Sequence, residues 1–300
     1  KLFTKHIYMP VVTLSRFIYI YIGRLIMLNI NTNYSAAFAA NAAKSSSQGL
    51  NSAMEKLSTG SRINYAKDDA AGQAISTRLS AEIQGLNMAS RNAADAQSMV
   101  DTADGALQET QNVLLRMREL AVQSANGTLT DADRDHTDAE FQQLEAEITR
   151  ISANTKWAGQ ALLDGTASSL SFQVGEGASQ VITVAIADMA ANATGIALDD
   201  DSLQSAANAQ TAIGALDTAI ATVSTERGKL GAVSNRLSST MSNLDQVSVN
   251  LSSSQGRIQD ADFAQETGNL AKNQILQQAA TAMIAQANAS KSSVLALVRG

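Results

Sequence analysis

The 300-residue chain has no cysteine, a single proline at Pro10, only two histidines and 4% aromatic residues. Without cysteine there is no disulfide, no thiolate nucleophile and no thiolate-held metal, and the composition suits a protein that leaves the cell without oxidative folding. Histidine chemistry is confined to His6 and His136, no histidine pair has metalloprotease spacing, and no serine has a base and an orienting acid in sequence context. The chain therefore reads as a non-enzyme with no catalytic residue and no cofactor. Gly175 and Gly177 sit between two alternating apolar runs rather than between a strand and a helix, which is not a dinucleotide site. Asp68 and Asp69 are neighbours in a polar connector, not carboxyls facing across a cleft. Asp131, Asp133 and Asp135 have calcium-loop spacing, but His136 stands where glycine is required and Gln142 where a bidentate glutamate is required. No metal site is expected there; the acids read as complements to a helix N-terminus. The net charge of −6, with no basic stripe, argues against a nucleic-acid partner. No long hydrophobic run exists either: the apolar stretch at 17–28 is broken by Arg24 and too short to span a bilayer.

What the chain does have is alanine, serine, asparagine and glutamine in heptads. Leu79, Leu86, Ala93, Val100, Leu107, Leu114 and Ala121 recur every seventh residue, with Ala89, Ala96, Ala103 and Met117 three places after four of them. In the second half Leu216, Val223, Leu230, Leu237, Leu244, Leu251 and Ile258 do the same. A seven-residue apolar repeat sustained without proline predicts long helices that bury one narrow seam against a partner. The fold class expected is mainly α: a long antiparallel coiled-coil rod built from the N- and C-terminal halves, with a small β-hairpin region.

Residues 1–26 differ from the rest, carrying three of the five tyrosines, four basic residues and no acid. They read as a non-native or upstream leader before a start at Met27, although 17–28 followed by Ala37-Phe38-Ala39 also resembles a cleavable signal. A thin helical pattern follows from Asn29 to Ser58, with Ala36, Ala43, Leu50 and Leu57 on one seam. Thr59-Gly60 ends it, and 61–72 reads as a connector. Thr130 and Asp133 predict a capped helix from Asp131 to about Ser152. Leu170, Phe172, Val174 and then Ile182, Val184, Ile186 alternate around the glycines, which predicts a hairpin at about 168–188. A loop follows through Gly195, and Asp199, Asp200, Asp201 and Ser202 lead into the second long helix. From Arg257 onward lies another thin helix, with Leu276, Ala280, Met283 and Ala287 on one stripe and Phe263, Leu270 and Ile284 nearby. Val294, Leu295, Leu297 and Val298 close the chain with an apolar patch that needs covering.

Residues 55–64 (EKLSTGSRIN) and 66–75 (AKDDAAGQAI) resemble the amino-terminal signature of bacterial flagellin. The resemblance continues in 89–93 (ASRNA) and 116–126 (RMRELAVQSAN), and returns in 230–237 (LGAVSNRL), 257–264 (RIQDADFA) and 274–279 (QILQQA). The opening INTN at 30–33 also matches, in favour of Met27 as the start. The blocks bracket residues 27–300 in family order, and there is almost no room between them for a variable outer domain.

The resemblance implies a secreted, extracellular structural subunit that polymerises with copies of itself into the flagellar filament for motility. Residues 27–71 and 257–300 would form the inner core of the filament and 72–256 the surrounding rod. The weak terminal seams, with Leu50, Leu57, Phe263, Leu270, Leu276, Met283 and Ile284, would order only when neighbours supply apolar surface. Implied partners are an export chaperone and the cap and hook-junction proteins. The family segment recognised by the flagellin-sensing Toll-like receptor of animals maps onto Arg116, Leu120 and Glu140, an innate immune recognition site. The chain departs from the best-recognised members at Leu115, where they carry glutamine, and at Leu144, where they carry arginine. The alternative reading is a flagellin-like cell-surface adhesin or polysaccharide-binding protein that serves outside a filament.

Overall fold

A computed structural model describes residues 32–192, 196–198 and 202–299, with side chains through residue 293. The leader at 1–26, Met27, the first two residues of the INTN motif, Gly195, Asp199 to Asp201 and the apolar tail side chains of Val294, Leu295, Leu297 and Val298 lie outside these residues. Among the described residues there are five helices: α1 Tyr34–Thr59, α2 Ala70–Ser124, α3 Asp131–Asn154, α4 Ala206–Gln259 and α5 Phe263–Arg299. Between α3 and α4 lie four short strands: β1 Lys156–Trp157, β2 Gln160–Ala161, β3 Leu170–Gln173 and β4 Val181–Val184. None of the described helices is long and apolar enough to cross a membrane. The chain forms two compact units, one holding α1 and α5 and the other comprising Asp69–Gln259.

The unit of 69–259 is the rod expected from the heptads. Helix α2, with 55 residues, extends about 80 Å at the rise of an α-helix. It pairs with α4 in antiparallel register, so Ser76 meets Gln259, Ser90 meets Asp245, Asp104 meets Arg227 and Arg118 meets Asp217. Every member of the first predicted heptad, Leu79 to Ala121, is buried, as are Ala89, Ala96, Ala103 and Met117. From the second, Leu216 to Leu244 are buried, and Leu251 and Ile258 are half-buried. Burying small alanines beside leucines lets the two backbones approach closely along one line, which is how a coiled coil gains contact from a chain poor in aromatics.

Capping residues set the helix ends and move some expected boundaries. Asp69 accepts from the Gly72 N–H at 2.9 Å, so α2 begins at Ala70 and takes in the last three residues of the segment expected as connector. Toward the other end α4 runs through Gln259, and Asp262 caps α5 by accepting from the Ala264 N–H at 2.9 Å. The break between these helices therefore lies at 260–262, not at 257. Helix α4 itself starts at Ala206, four residues after Ser202. Thr130 and Asp133 form the expected capping box, and the Thr130 hydroxyl and N–H both hold the Asp133 carboxyl below its ordinary pKa.

Helix α3 folds back onto α2 and buries Phe141 and Ile148 there. The predicted hairpin pairs Leu170 with Val184 and Phe172 with Ile182, and Ile182 and Val184 point into the same core. Asn92 of α2 pins it by donating to Gln173 O at 3.0 Å. A second, smaller hairpin of β1 and β2 is not signalled by the sequence: its two-residue turn is Ala158-Gly159, at φ 49 and 87. Both central residues of such a turn need positive φ, a conformation that strains alanine by roughly 1 kcal/mol. Replacing Ala158 with glycine is expected to stabilise this unit by a few tenths to about 1 kcal/mol, read as a rise in the denaturant midpoint with unchanged slope.

Candidate assembly and recognition surfaces

The unit of α1 and α5 leaves several of its largest apolar side chains on the outside. Asn33 caps α1 by accepting from the Ala36 N–H at 3.1 Å, and Gly60 at φ 70 ends it. The two helices run antiparallel: Asn33 Nδ2 donates to Ala287 O at 3.1 Å, and Lys56 Nζ lies 3.4 Å from Glu266 Oε1. At Gly49 the approach is so close that a Cβ would come within 2.8 Å of the Asn273 side chain.

The inner seam of α1 has two rows. Ala36, Ala43, Leu50 and Leu57, the row read from sequence, are half-buried, while Ala39, Ser46 and Ala53, three places on, are buried. The second row is small or polar and gives no hydrophobic signal. On α5 the expected stripe of Leu276, Ala280, Met283 and Ala287 separates, as do its neighbours Phe263, Leu270 and Ile284. Leu270, Ala280, Ile284 and Ala287 turn toward α1, whereas Phe263, Leu276 and Met283 are exposed, joined by Ile275. From α1, Tyr34, Phe38 and Met54 are exposed as well, with Phe38 at 78% and Met283 at 63% of full accessibility. Phe38, Ala42, Leu276, Ala279 and Met283 line an open apolar groove of about 370 Å³. A folded monomer gains nothing from hiding alanine while phenylalanine and methionine meet water, and such a patch marks an interaction surface.

Arg116, Leu120 and Glu140, the residues expected from the resemblance to serve recognition, lie on α2 and α3. Arg116 Nη2 is 2.9 Å from Glu140 Oε1 and its Nη1 is 3.0 Å from Glu119 Oε2, all three side chains being exposed. The hydrogen bonds that Arg116 donates to Glu140 and then to Glu119 raise its pKa above its ordinary value. Arg116 and Glu140, 24 positions apart in sequence, thus form one face. Leu120 does not join that face: at 2% exposure it packs in the core beneath. Leu115 and Val122 are the exposed apolar residues beside it, forming a shallow hollow with Arg118 and Glu119. Leu144 is partly buried against the core.

Sequence reasoning missed a buried polar cluster where α2, α3 and the approach to α4 meet. The Arg134 guanidinium, nearly buried, donates from Nε to Ser124 O at 3.0 Å and from Nη2 to Asn126 O at 3.1 Å. Asp138 accepts from the Leu203 N–H at 2.7 Å, and Ser124 Oγ donates to Leu203 O at 2.7 Å. Burial of Arg134 and Asp138 is tolerable because these bonds replace the lost water. The cluster is assembled by residues up to 79 positions apart, and no local pattern announces it.

The family model for the bacterial flagellin N-terminal helical region matches residues 30–168, and that for the C-terminal helical region matches 213–298. A flagellin of Halalkalibacterium halodurans is 46% identical over 82% of this chain and 91% of its own. The flagellin of Bacillus subtilis is 41% identical, covering 91% of this chain and 100% of its own. The flagellar filament 33 kDa core protein of Treponema phagedenis is 40% identical over 90% of this chain and 99% of its own.

Proposed function

The chain belongs to the bacterial flagellin family, and from that premise we propose that it is a structural subunit of the flagellar filament whose polymerising faces are α1 and α5. The observation that carries the assignment to these helices is their inverted burial, alanine inside and Phe38, Ile275, Leu276 and Met283 outside. Copies of the chain packing side by side would cover those residues, and their burial drives association in proportion to the apolar area removed from water. The unit holding α1 and α5 is thereby read as the inner-core part of the filament subunit and the 69–259 unit as its rod part, which moves the expected bounds at 72 and 257 to the breaks between helices. Secretion through the flagellar export route, with a chaperone holding the terminal helices and cap and hook-junction proteins bounding the polymer, accords with the same exposed faces. Met283→Asp is expected to reduce filament yield at least tenfold, because a carboxylate buried without a partner costs several kcal/mol. The test is sedimentation of polymer nucleated by seeds, and wild-type yield from the variant would reject these faces.

The pairing of Arg116 with Glu140 on one exposed face supports a recognition role in innate sensing by an animal Toll-like receptor, with Leu120 shaping that face from below. Arg116→Ala is expected to lower the signal in a receptor reporter assay while leaving the thermal transition of the subunit within its error, since exposed ion pairs contribute little to stability. Equal signals would remove Arg116 from the contact. No observation favours the surface-adhesin alternative.

A further inference from the structure

The turn between α2 and α3 presents Asn126 followed by Gly127, both exposed. The Asn126 Oδ1 accepts from the Thr128 N–H at 3.2 Å, a bond that spans Gly127 and folds the carboxamide back over the Gly127 amide. It also draws electron density from Cγ, as a single donor of an oxyanion site does. Gly127 leaves the approach open, since a Cβ there would meet nothing within 4 Å. Among the described hydrogen bonds the Gly127 N–H donates to none. A nucleophile, an electrophile and access for water thus coincide at one peptide link.

We propose that Asn126 is a self-modifying site that deamidates and isomerises in the folded protein, with hydroxide and water as its only co-reactants. Hydroxide removes the Gly127 amide proton, and the nitrogen attacks Asn126 Cγ to form an N–C bond and a five-membered tetrahedral ring. The ring collapses to a succinimide as the side-chain nitrogen takes a proton from water and leaves as ammonia. Water then adds to one imide carbonyl. Opening at Cγ gives aspartate; opening at the main-chain carbonyl gives isoaspartate, whose chain runs through the side-chain carbon. Overall one water is consumed and one ammonia released, with no change of oxidation state.

The isoaspartate form has a structural consequence because of what Asn126 O does. That oxygen accepts from Leu129 N–H at 3.3 Å and from Arg134 Nη2 at 3.1 Å. In isoaspartate it becomes part of a free carboxylate on a branch, and the main chain gains one atom between these anchors. The turn bond to Leu129 is lost and Arg134 is pulled from its place against Ser124 O, loosening the segment at Leu203 that leads into α4. Deamidation therefore targets the end of the helical rod that the polar cluster holds closed.

The test incubates the full chain, folded, in mildly alkaline buffer and follows every asparagine by peptide mass mapping, with enzymatic isoaspartate methylation as a second readout. Position 126 is expected to convert severalfold faster than the exposed Asn250. Gly127→Ala, whose methyl has open space, is expected to slow it severalfold with an unchanged thermal transition. Amide exchange at Leu129 is expected to quicken in the aged protein but not in fresh Asn126→Asp, which carries the charge without the longer chain. Conversion at 126 no faster than at Asn250, or undiminished in Gly127→Ala, would overturn the site. Equal Leu129 exchange in aged protein and Asn126→Asp would overturn the loosening.

Discussion

A chain ending at Gln259 is expected to stay a folded monomer and to form no filament, even when seeded. Its core cluster, from Ala93 to Leu237, lies wholly within the 69–259 unit and loses nothing. Removal of α5 takes away Phe263, Ile275, Leu276 and Met283 from the exposed set and strips α1 of the partner for Ala39, Ser46 and Ala53. A helix whose inner face is mostly alanine and serine, with only Leu50 and Leu57 as large apolar residues, cannot hold itself in water without a partner, so α1 is expected to lose its helicity as well. Sedimentation and electron microscopy read the first outcome, and circular dichroism the second. Filaments of ordinary length from the truncated chain would refute the assignment of assembly to these helices, and loss of the main thermal transition would refute the independence of the larger unit.

The second large effect concerns that unit alone. Phe141→Ala is expected to destabilise it by about 3–5 kcal/mol, the range for emptying a fully buried phenylalanine site. Phe141 is completely inaccessible, and with Ile148 it is one of only two large apolar residues that α3 buries fully. The neighbouring helix cannot close the void, because α2 is held in register by its bonds to α4. Chemical denaturation should show the midpoint falling with the slope unchanged. A change under about 1 kcal/mol would mean that α3 docks by its polar cluster and cap rather than by its apolar stripe.

Legibility from sequence follows the distance over which each feature is determined. The long helices were readable because a heptad is a local pattern repeated many times, and every residue read into the α2 seam is buried. The β3–β4 hairpin was readable for the same reason, through period-two alternation on both sides of glycine. The β1–β2 hairpin was not, since its strands are two residues each and its turn uses alanine where asparagine or glycine would signal it. Helix boundaries shifted wherever an aspartate could serve either as connector or as cap, as at Asp69 and Asp262.

The candidate surfaces were partly legible. That Leu276 and Met283 belong to an apolar stripe is visible in spacing; that they face away from α1 while Leu270 and Ile284 face toward it depends on which of two overlapping stripes α1 fills. The bond of Arg116 to Glu140 depends on how α3 folds back over α2. The Arg134 cluster had no sequence signal at all, because its acceptors are main-chain carbonyls that any residue could supply.

The side-chain bonds that tie α2 to α4, from Ser76 with Gln259 to Arg118 with Asp217, constrain how the length of this protein can vary. Losing one residue from either helix would rotate everything beyond it by about 100° and slide it by about 1.5 Å, parting every later pair at once. Losing seven from each, at matching positions, would bring the same faces back together with little residual rotation. Descendants of this subunit should therefore lengthen or shorten the rod in paired multiples of seven.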